Sequence, residues 1–301
     1  MLDEVYKKAS LTSVLTSDSS LIRMGNNAKE IVIPKMEMDG LKNYTRNSGY
    51  TDGDVKLDWE TRQFNYDRGI RFHVDSMDNE ESIELAFGRL GAQFQRTKVA
   101  PEADAYTLST LATKATANIS EYTLTTGENV LDALRAEQNK MDEDEVPSES
   151  RILFITPTLL RLAKSVDTYK NMGVLDEFAQ VISVPQKRMY TSIELIDDAQ
   201  NDADNNMKGG YKKGSSATEL LFLIVEKSAV LKWDKHIASN IITPDDNQTS
   251  DDYLQKYRKY GIVDVFDNKL AGIRGAKAPL ISADSARVGK AKVGKAKVGV
   301  E

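Results

Sequence analysis

DSMDNEESIELAFGRLGAQFQRTKVAPEADAYTLSTLATKATA, residues 75–117, has the apolar periodicity of a long α-helix. Side chains three to four positions apart lie on one helix face, so this stripe must be buried against another part of the protein. The stripe comprises Ile83, Phe87, Leu90 and Phe94, and it resumes beyond Pro101 with Leu108, Leu111 and Ala115. Because Pro101 lacks a backbone donor, the pattern predicts a kinked rod or two helices nearly end to end. At ~1.5 Å per residue, such a helix exceeds a small domain and predicts a spine across an extended protein.

The composition is that of a soluble folded protein. Of 301 residues, 40% are apolar and 29% are charged, and the formal net charge is -6. The longest apolar run, Leu220 to Val225, is much shorter than the ~20 residues that span a bilayer, so we expect no membrane contact. A negative net charge disfavours a dedicated nucleic-acid reader, whose affinity rests on Lys and Arg contacts to phosphates. The absence of cysteine excludes disulfides and thiolate chemistry.

The N-terminal quarter predicts an arm followed by β-structure. Residues 1–28 are polar and rich in serine, which favours a loosely held terminal arm. Residues 31–33 predict a short strand, and Pro34 places it at an edge or at its last paired position. From Val55 to Val74 apolar and polar side chains alternate on either side of a turn, so we expect a long β-hairpin with one apolar face. An isolated hairpin is marginal in water, so this face needs cover, for example from another subunit.

The middle of the chain predicts helices around a buried sheet. Thr125 or Thr126 is placed to cap a helix whose buried positions are Val130, Leu131, Leu134 and Met141. After an acidic linker, Arg151 to Ile155 predicts a strand and Thr156-Pro157 the start of a helix, with proline in the favoured first turn. Leu220 to Val225 predicts a second, fully buried strand.

The C-terminal part predicts one more hairpin and then a tail. Tyr257 to Phe266 and Lys269 to Ile273 predict two strands around the turn Asp267-Asn268. From Lys277 onward the chain is small and basic and contains VGKAK twice, at 288–292 and 293–297. This composition favours a flexible tail.

No motif in the sequence points to catalysis or to a bound cofactor. The two histidines, His73 and His236, are far apart in the chain, and neither a hydrolase nucleophile motif nor a phosphate-binding glycine loop is present. The acidic run Asp142 to Glu145 lacks the spaced ligands and the turning glycine of a calcium loop. We therefore expect neither an enzyme nor a metal or cofactor site.

Five segments carry a resemblance to a known family. They are NYTRNSGYTDGDVKLDWETRQFNYDRGIRFHVDSMDNEES (43–82), AFGRLGAQFQRTKVAPEADAYTLSTLA (86–112), RILFITPTLLRLAKS (151–165), ELLFLIVEKSAVLKWDKH (219–236) and YRKYGIVDVFDNKLAGI (257–273). Together they resemble the major capsid proteins of tailed bacteriophages, in particular a group common in phages of Gram-positive bacteria. The resemblance covers roughly residues 29–275 and implies the Hong Kong 97-type capsid fold, which is of the α+β class.

The resemblance implies a division of the chain into the parts of that fold. They are an N-terminal arm (1–36), an extended β-hairpin loop (37–75), a peripheral domain with the spine helix (76–150), an axial α/β domain (151–250), a return to the peripheral sheet (251–276) and a basic flexible tail (277–301). In this family the extended loop lies over a neighbouring subunit. The subunit contacts expected on this basis are Val55, Leu57, Trp59, Phe64, Tyr66, Ile70 and Phe72.

The function implied is structural. The resemblance implies a shell subunit that assembles into pentamers and hexamers of an icosahedral phage head, formed in the host cytoplasm and ending in the virion. Its partners would be further copies of itself, a separate scaffolding protein, a portal, decoration proteins, and enclosed double-stranded DNA bound without sequence specificity. An encapsulin-type compartment that holds cargo enzymes is the alternative with the same fold. A cytosolic enzyme with an unrecognised carboxylate site is the alternative from another class.

Overall fold

A computed structural model describes residues 10–17, 23–24, 29–47, 49–77, 91–166, 173–197 and 209–279. Helices and sheets both occur in these ranges, so the predicted α+β class is confirmed. The chain divides into two compact units. One unit comprises residues 13–95 and 230–264, and we call it the hairpin unit. The other comprises residues 1–12, 96–229 and 265–301, and we call it the core-sheet unit.

The strands, in chain order, are β1 (Arg23–Met24), β2 (Glu30–Met38), β3 (Val55–Gln63), β4 (Tyr66–Asp75), β5 (Ile119–Glu121), β6 (Arg151–Ile155), β7 (Gln180–Ser183), β8 (Ile193–Ile196), β9 (Gly210–Lys213), β10 (Leu220–Glu226), β11 (Val230–Ile242), β12 (Asp252–Val265) and β13 (Ile273–Lys277). The α-helices are α1 (Ala100–Lys114), α2 (Gly127–Glu143) and α3 (Pro157–Lys164). A π-helix spans Gln95–Val99, and short 3-10 helices span Ser13–Leu15, Thr116–Asn118, Gln186–Arg188, Lys227–Ala229, Pro244–Asp246 and Asp267–Gly272.

The hairpin unit contains two three-stranded sheets, ordered β1-β2-β3 and β11-β12-β4. Strands β2 and β3 pair antiparallel along their whole length, from Glu30 opposite Gln63 to Met38 opposite Val55. Strand β4 pairs antiparallel with β12. The chain therefore passes from one sheet to the other between β3 and β4.

The predicted hairpin from Val55 to Val74 is wrong, because β3 and β4 pair with different strands. Only Phe64 and Asn65 connect them, and a two-residue hairpin loop requires the positive-φ residues of a type I′ or II′ turn. The bulky Phe64 does not favour that geometry. The reversal instead lies between β2 and β3, in residues 39–54, where glycine, asparagine and aspartate are frequent.

The core-sheet unit is built on a five-stranded sheet in the order β5-β13-β10-β6-β7, and β8 and β9 form a separate pair. Strands β6 and β10 are buried along almost their entire length, as their continuous apolar sequences predict. Helices α2 and α3 pack on this sheet. The predicted starts of both helices are confirmed: Thr126 accepts a hydrogen bond from the Asn129 amide, and Pro157 stands in the first turn of α3.

The predicted C-terminal hairpin is also wrong. Strand β12 belongs to the β11-β12-β4 sheet, whereas β13 pairs with β10 and β5 in the five-stranded sheet. The intervening Asp267–Gly272 forms a 3-10 helix rather than a two-residue turn. At Asp267-Asn268 the chain therefore turns from one sheet to the other and does not form a hairpin within one sheet.

The helical stretch around Pro101 is described from residue 91 onward, so the predicted spine positions Ile83, Phe87 and Leu90 lie outside the described residues. Residues 91–94 are α-helical, and a π-helix then leads into α1. Pro101 is buried in the first turn of α1. A proline removes the bond to the carbonyl four residues earlier, so a local change of helix type before it is expected. Within the described part of the chain, no helix has the length and apolarity needed to cross a membrane.

Candidate assembly surface

The β2–β3 hairpin presents two chemically different faces. Neighbouring residues of a strand point to opposite sides of a sheet, so the pairing register divides the side chains into two sets. Cross-strand pairs on one side are Pro34 with Trp59, Met36 with Leu57 and Met38 with Val55. Cross-strand pairs on the other side are Lys35 with Asp58 and Glu37 with Lys56. One side is therefore apolar and the other is charged.

The apolar side is open to solvent along the outer half of the hairpin. We call it the apolar hairpin face; its members, with their exposed fractions, are Met36 (59%), Met38 (70%), Val55 (63%), Leu57 (52%) and Trp59 (44%). The Arg23 guanidinium lies 4.8 Å from the centre of the Trp59 ring and covers part of it. Ile31 and Ile33, on the opposite side, are buried near the hairpin base and anchor it. A contiguous exposed apolar patch of this kind typically marks an interaction site.

The opposite side carries four charges that neutralise one another. The Lys35 ammonium lies 2.8 Å from the Glu37 carboxylate, and the Lys56 ammonium lies 2.9 Å from the Asp58 carboxylate. The hydrogen bond from Lys35 lowers the pKa of Glu37, and the hydrogen bond to Asp58 raises the pKa of Lys56. Such exposed pairs contribute little stability but keep this side hydrated. The two sides of the hairpin therefore differ sharply in polarity.

The loop at the hairpin tip is held in shape by a polar clamp. The Lys42 ammonium donates to the Asp39 carboxylate at 2.9 Å and to the Asp52 carbonyl at 2.8 Å, and the Asp54 amide donates to the same carboxylate. The hydrogen bond from Lys42 is the main reason that the pKa of Asp39 is lowered. The clamped loop exposes three further large side chains, Leu41, Tyr44 and Tyr50. The tip therefore carries exposed apolar side chains of its own.

The residues predicted as subunit contacts fall into two groups. Val55, Leu57 and Trp59 belong to the apolar hairpin face, and Ile70 is 45% exposed on β4. The other three are packed inside the hairpin unit. Phe64 lies 4.6 Å from Tyr260, Tyr66 is 5% exposed, and Phe72 lies 4.9 Å from Phe94 between ring centres. The predicted contact role of all seven residues stays a prediction.

Sequence reasoning missed the β2 contribution to this surface. Met36 and Met38 alternate with Lys35 and Glu37 directly after Pro34, which is the same period-two pattern that identified β3. Of the two alternatives for Pro34, the last paired position of a strand is wrong, because β2 continues through it to Met38, and the edge position is the one observed. On the side of β2 away from β3, β1 pairs with Ile31 and Val32, and among the described residues no further strand lies beside β2 there. A proline is tolerated on such an open edge.

The core-sheet unit holds a deeply buried carboxylate, that of Asp104. It accepts hydrogen bonds from the hydroxyls of Ser10 and Thr12 and from the backbone amides of Leu11 and Thr12, at 2.8 to 3.1 Å. It also pairs with the Arg188 guanidinium at 2.8 Å. Asp104 is fully buried, so these bonds replace its lost hydration. The cluster ties the N-terminal segment to α1.

A second buried carboxylate, that of Glu137 on α2, accepts hydrogen bonds from Ser120, Tyr122 and Lys140 at 2.7 to 3.0 Å. Burial, followed by the contact with Glu137, raises the pKa of Tyr122 to about 12. These bonds join β5 and the residue after it to α2. Among the residues that the structure describes, no group of three or more His, Asp or Glu side chains is arranged to hold a metal ion.

The sequence matches no family model and no curated protein. Solved structures, in contrast, match over nearly the whole chain. The structure titled "Capsid structure of the Cyanophage P-SCSP1u" has a TM-score of 0.63 at 12% identity and covers 93% of this chain and 91% of that chain. The "Asymmetric unit of bacteriophage PhiM1 mature capsid" has a TM-score of 0.63 at 13% identity, with coverages of 94% and 91%. The "Capsid structure of Staphylococcus phage Andhra" has a TM-score of 0.56 at 10% identity, with coverages of 93% and 88%.

These likenesses show the fold. The chain has the fold of phage capsid structures, so the Hong Kong 97-type fold predicted from the sequence is confirmed. At identities of 10 to 13% the comparison carries no residue-level correspondence. The role of individual side chains therefore has to be argued from their own geometry.

Proposed function

We propose that this chain is the major capsid protein of a tailed phage, a shell subunit that assembles into the pentamers and hexamers of an icosahedral head enclosing double-stranded DNA. The fold supports this proposal because the matching structures are phage capsids. The single observation that carries it is the apolar hairpin face, which leaves five large side chains in water. A neighbouring subunit is the cover that such a face requires.

The energetics favour an assembly built from many modest contacts. Complete burial of a Val, Leu or Met side chain is worth about 1.5–3 kcal/mol, and these side chains are about half exposed, so each gains roughly 1 kcal/mol when covered. The apolar hairpin face then contributes roughly 5 kcal/mol before the loss of translational and side-chain freedom is subtracted. One contact of this size is weak on its own. A closed shell repeats it at every subunit, so the whole is stable while its parts remain exchangeable during growth.

We propose the following role for each part of the fold. The β2–β3 hairpin serves as the extended loop over a neighbouring subunit, and the helix that continues into α1 serves as the spine. The five-stranded sheet with α2 and α3 serves as the axial domain. This assignment differs from the boundaries implied by the resemblance, which put α2, β5 and β13 in the peripheral domain and the extended loop at 37–75. Both divisions of the chain stay predictions.

The proposal includes partners beyond the subunit itself. A separate scaffolding protein, a portal and decoration proteins are expected to assist assembly, which takes place in the host cytoplasm before the protein enters the virion. The formal net charge of -6 fits a wall that encloses DNA without adhering to it, because strong adhesion would oppose packing and release.

Electron microscopy of the expressed protein, with and without a candidate scaffolding protein, tests the proposal. Replacing Leu57 and Trp59 together by serine is expected to leave the subunit folded and to abolish shells, because both side chains lie on the apolar hairpin face. Lys56→Ser is the matched control, since it lies on the same strand but on the charged side. Circular dichroism and thermal melting check the fold of each variant.

Two results would contradict the proposal. The first is a parent protein that remains a monodisperse monomer under every assembly condition. The second is a Leu57 and Trp59 double variant that forms shells as well as Lys56→Ser does. Loss of the folded state in the double variant would show that these side chains belong to the subunit's own core.

A further inference from the structure

The direction of the hairpin depends on a two-residue junction. Phe64 and Asn65 connect β3, which pairs with β2, to β4, which pairs with β12. All of these strands lie in the hairpin unit. Two residues of connection leave the orientation of the hairpin to the contacts around its base. The contacts at this junction therefore determine where the apolar hairpin face points.

The side chain of Asn65 bonds to β12 just beyond the last backbone pair of the β4–β12 ladder. The last backbone pair of that ladder is Tyr66 opposite Gly261. The Asn65 Nδ2 donates to the Val263 carbonyl at 2.7 Å, and its Oδ1 accepts from the Val263 amide at 3.0 Å. A side-chain amide carries one donor and one acceptor, so it satisfies both backbone groups of one residue. The Asn65 side chain thereby bonds to β12 directly beside the point where the chain passes from β3 to β4.

Two neighbours of Asn65 hold the same base by other means. The Arg62 guanidinium lies 3.2 Å from the Asp264 carboxylate and 2.6 Å from the Glu60 carboxylate. The Phe64 amide donates to the Lys29 carbonyl at 3.0 Å. The aromatic ring of Phe64 lies between Tyr260 and Trp233, with centre-to-centre distances of 4.6 and 5.9 Å. Hydrogen bonds, an ion pair and ring packing thus act within the four residues 62–65.

We infer that Asn65 is a positioning residue that fixes the direction of the β2–β3 hairpin relative to the β11-β12-β4 sheet and so sets the angle at which neighbouring subunits meet. The consequence for shell curvature rests on the proposed function, whereas the effect on hairpin direction does not. Asn65 is exposed to solvent, so water replaces its hydrogen bonds when the side chain is removed. The expected effect of its removal is therefore a change of direction and not a loss of the fold.

Distances between two spin labels measure this direction in the monomer. The chain contains no cysteine, so cysteines introduced at Asp52, in the hairpin tip, and at Lys256, in the sheet, are the only attachment points. Both positions are exposed, and the nine residues of β2 span about 30 Å between base and tip. The parent chain is expected to give one narrow distance distribution. Asn65→Ala is expected to broaden or shift it.

Asn240→Ala is the matched control, because it makes the same chemical change at an exposed position of β11. An Asn65→Ala distribution as narrow as that of Asn240→Ala, and centred at the same distance, would overturn the inference. Circular dichroism verifies that each labelled variant is folded. If Asn65→Ala does not fold, Asn65→Asp takes its place, because it keeps an acceptor for the Val263 amide but has no donor for the Val263 carbonyl; an unchanged distribution in that variant overturns the inference equally.

Shell diameters, measured by electron microscopy on the same unlabelled variants, connect direction to curvature. Asn65→Ala is expected to give shells of mixed diameter, and Asn240→Ala shells of the parent diameter. Uniform parent-sized shells from Asn65→Ala would refute the link to curvature. Absence of shells from the parent chain would refute the proposed function, while the label distances would still decide the role of Asn65.

Discussion

Replacing Asp104 by alanine is expected to lower the free energy of unfolding by about 4 kcal/mol, because removal of one partner from a buried ion pair typically costs ~3–5 kcal/mol. Asp104 is completely buried, and the Arg188 side chain is 4% exposed, so the guanidinium left behind cannot regain its hydration. The hydroxyl of Thr12 and the amides of Leu11 and Thr12 lose their acceptor in the same step. For a chain of this size, the loss corresponds to a fall in melting temperature of roughly 10 °C.

Urea denaturation of the unassembled subunit, followed by circular dichroism, measures this loss. Asp132→Ala is the matched control: its carboxylate is 71% exposed and pairs with Arg135 on the surface of α2, so we expect a change within about 0.5 kcal/mol. Hydrogen exchange at the Leu11 and Thr12 amides adds a local readout, since both are expected to exchange faster in Asp104→Ala. The Asp104→Ala, Arg188→Ala double variant is expected to be more stable than the sum of the two single losses predicts.

A loss of stability in Asp104→Ala no larger than that in Asp132→Ala would contradict the expected stabilisation by the buried ion pair. Unchanged exchange at Leu11 and Thr12 would contradict the expected hold of Asp104 on the N-terminal segment. The first result would mean that the buried pair gives no net stability, and the second that the N-terminal segment is held by other contacts.

Two further predictions concern the core-sheet unit. Gly127→Ala is expected to cost about 1–3 kcal/mol in urea denaturation, because a Cβ there would collide with the Leu162 carbonyl, whereas Gly40→Ala, with open space around its Cα, serves as the neutral control. Tyr122, whose pKa is raised from 10.0 to about 12, is expected to ionise late in a spectrophotometric titration. The folded state holds the Tyr122 proton more tightly than the unfolded state does. The contribution of this proton to the free energy of unfolding is therefore complete below pH 10 and is lost as the pH rises towards 12. A base-denaturation curve that Tyr122→Phe leaves unchanged would contradict this.

The parts of the fold that local sequence determines were predictable. Thr126 and Pro157 identified two helix starts, and the continuous apolar sequence of Leu220 to Val225 identified a buried strand. These signals need only a few neighbouring residues. Strand pairing is different, since it depends on residues that are distant in the chain. The alternation from Val55 to Val74 correctly predicts strands, but nothing within it shows that β3 pairs with the preceding β2 and β4 with the distant β12.

The candidate assembly surface was predictable where its residues show a pattern within their own strand, and not where it depends on strand pairing. Val55, Leu57 and Trp59 show a period-two pattern in their own strand, and the structure exposes all three. The contribution of Met36 requires knowledge of the register, which places it opposite Leu57. The bonds between Asn65 and Val263 connect residues 198 positions apart and leave no periodic trace in the sequence.

The hairpin also has open strand edges. Through these edges free subunits can associate in a way that competes with shell assembly. Beyond Val32 the outer edge of β2 has no partner in the described part of the chain, and no second strand lies beside β3 there. Unpaired edges are templates for strand addition, which leads to fibres instead of closed shells. Pro34 withholds a donor from one edge, and the charges of Lys56 and Asp58 disfavour stacking of identical hairpins. Under the proposed function, these features favour association through the apolar hairpin face over association through the strand edges.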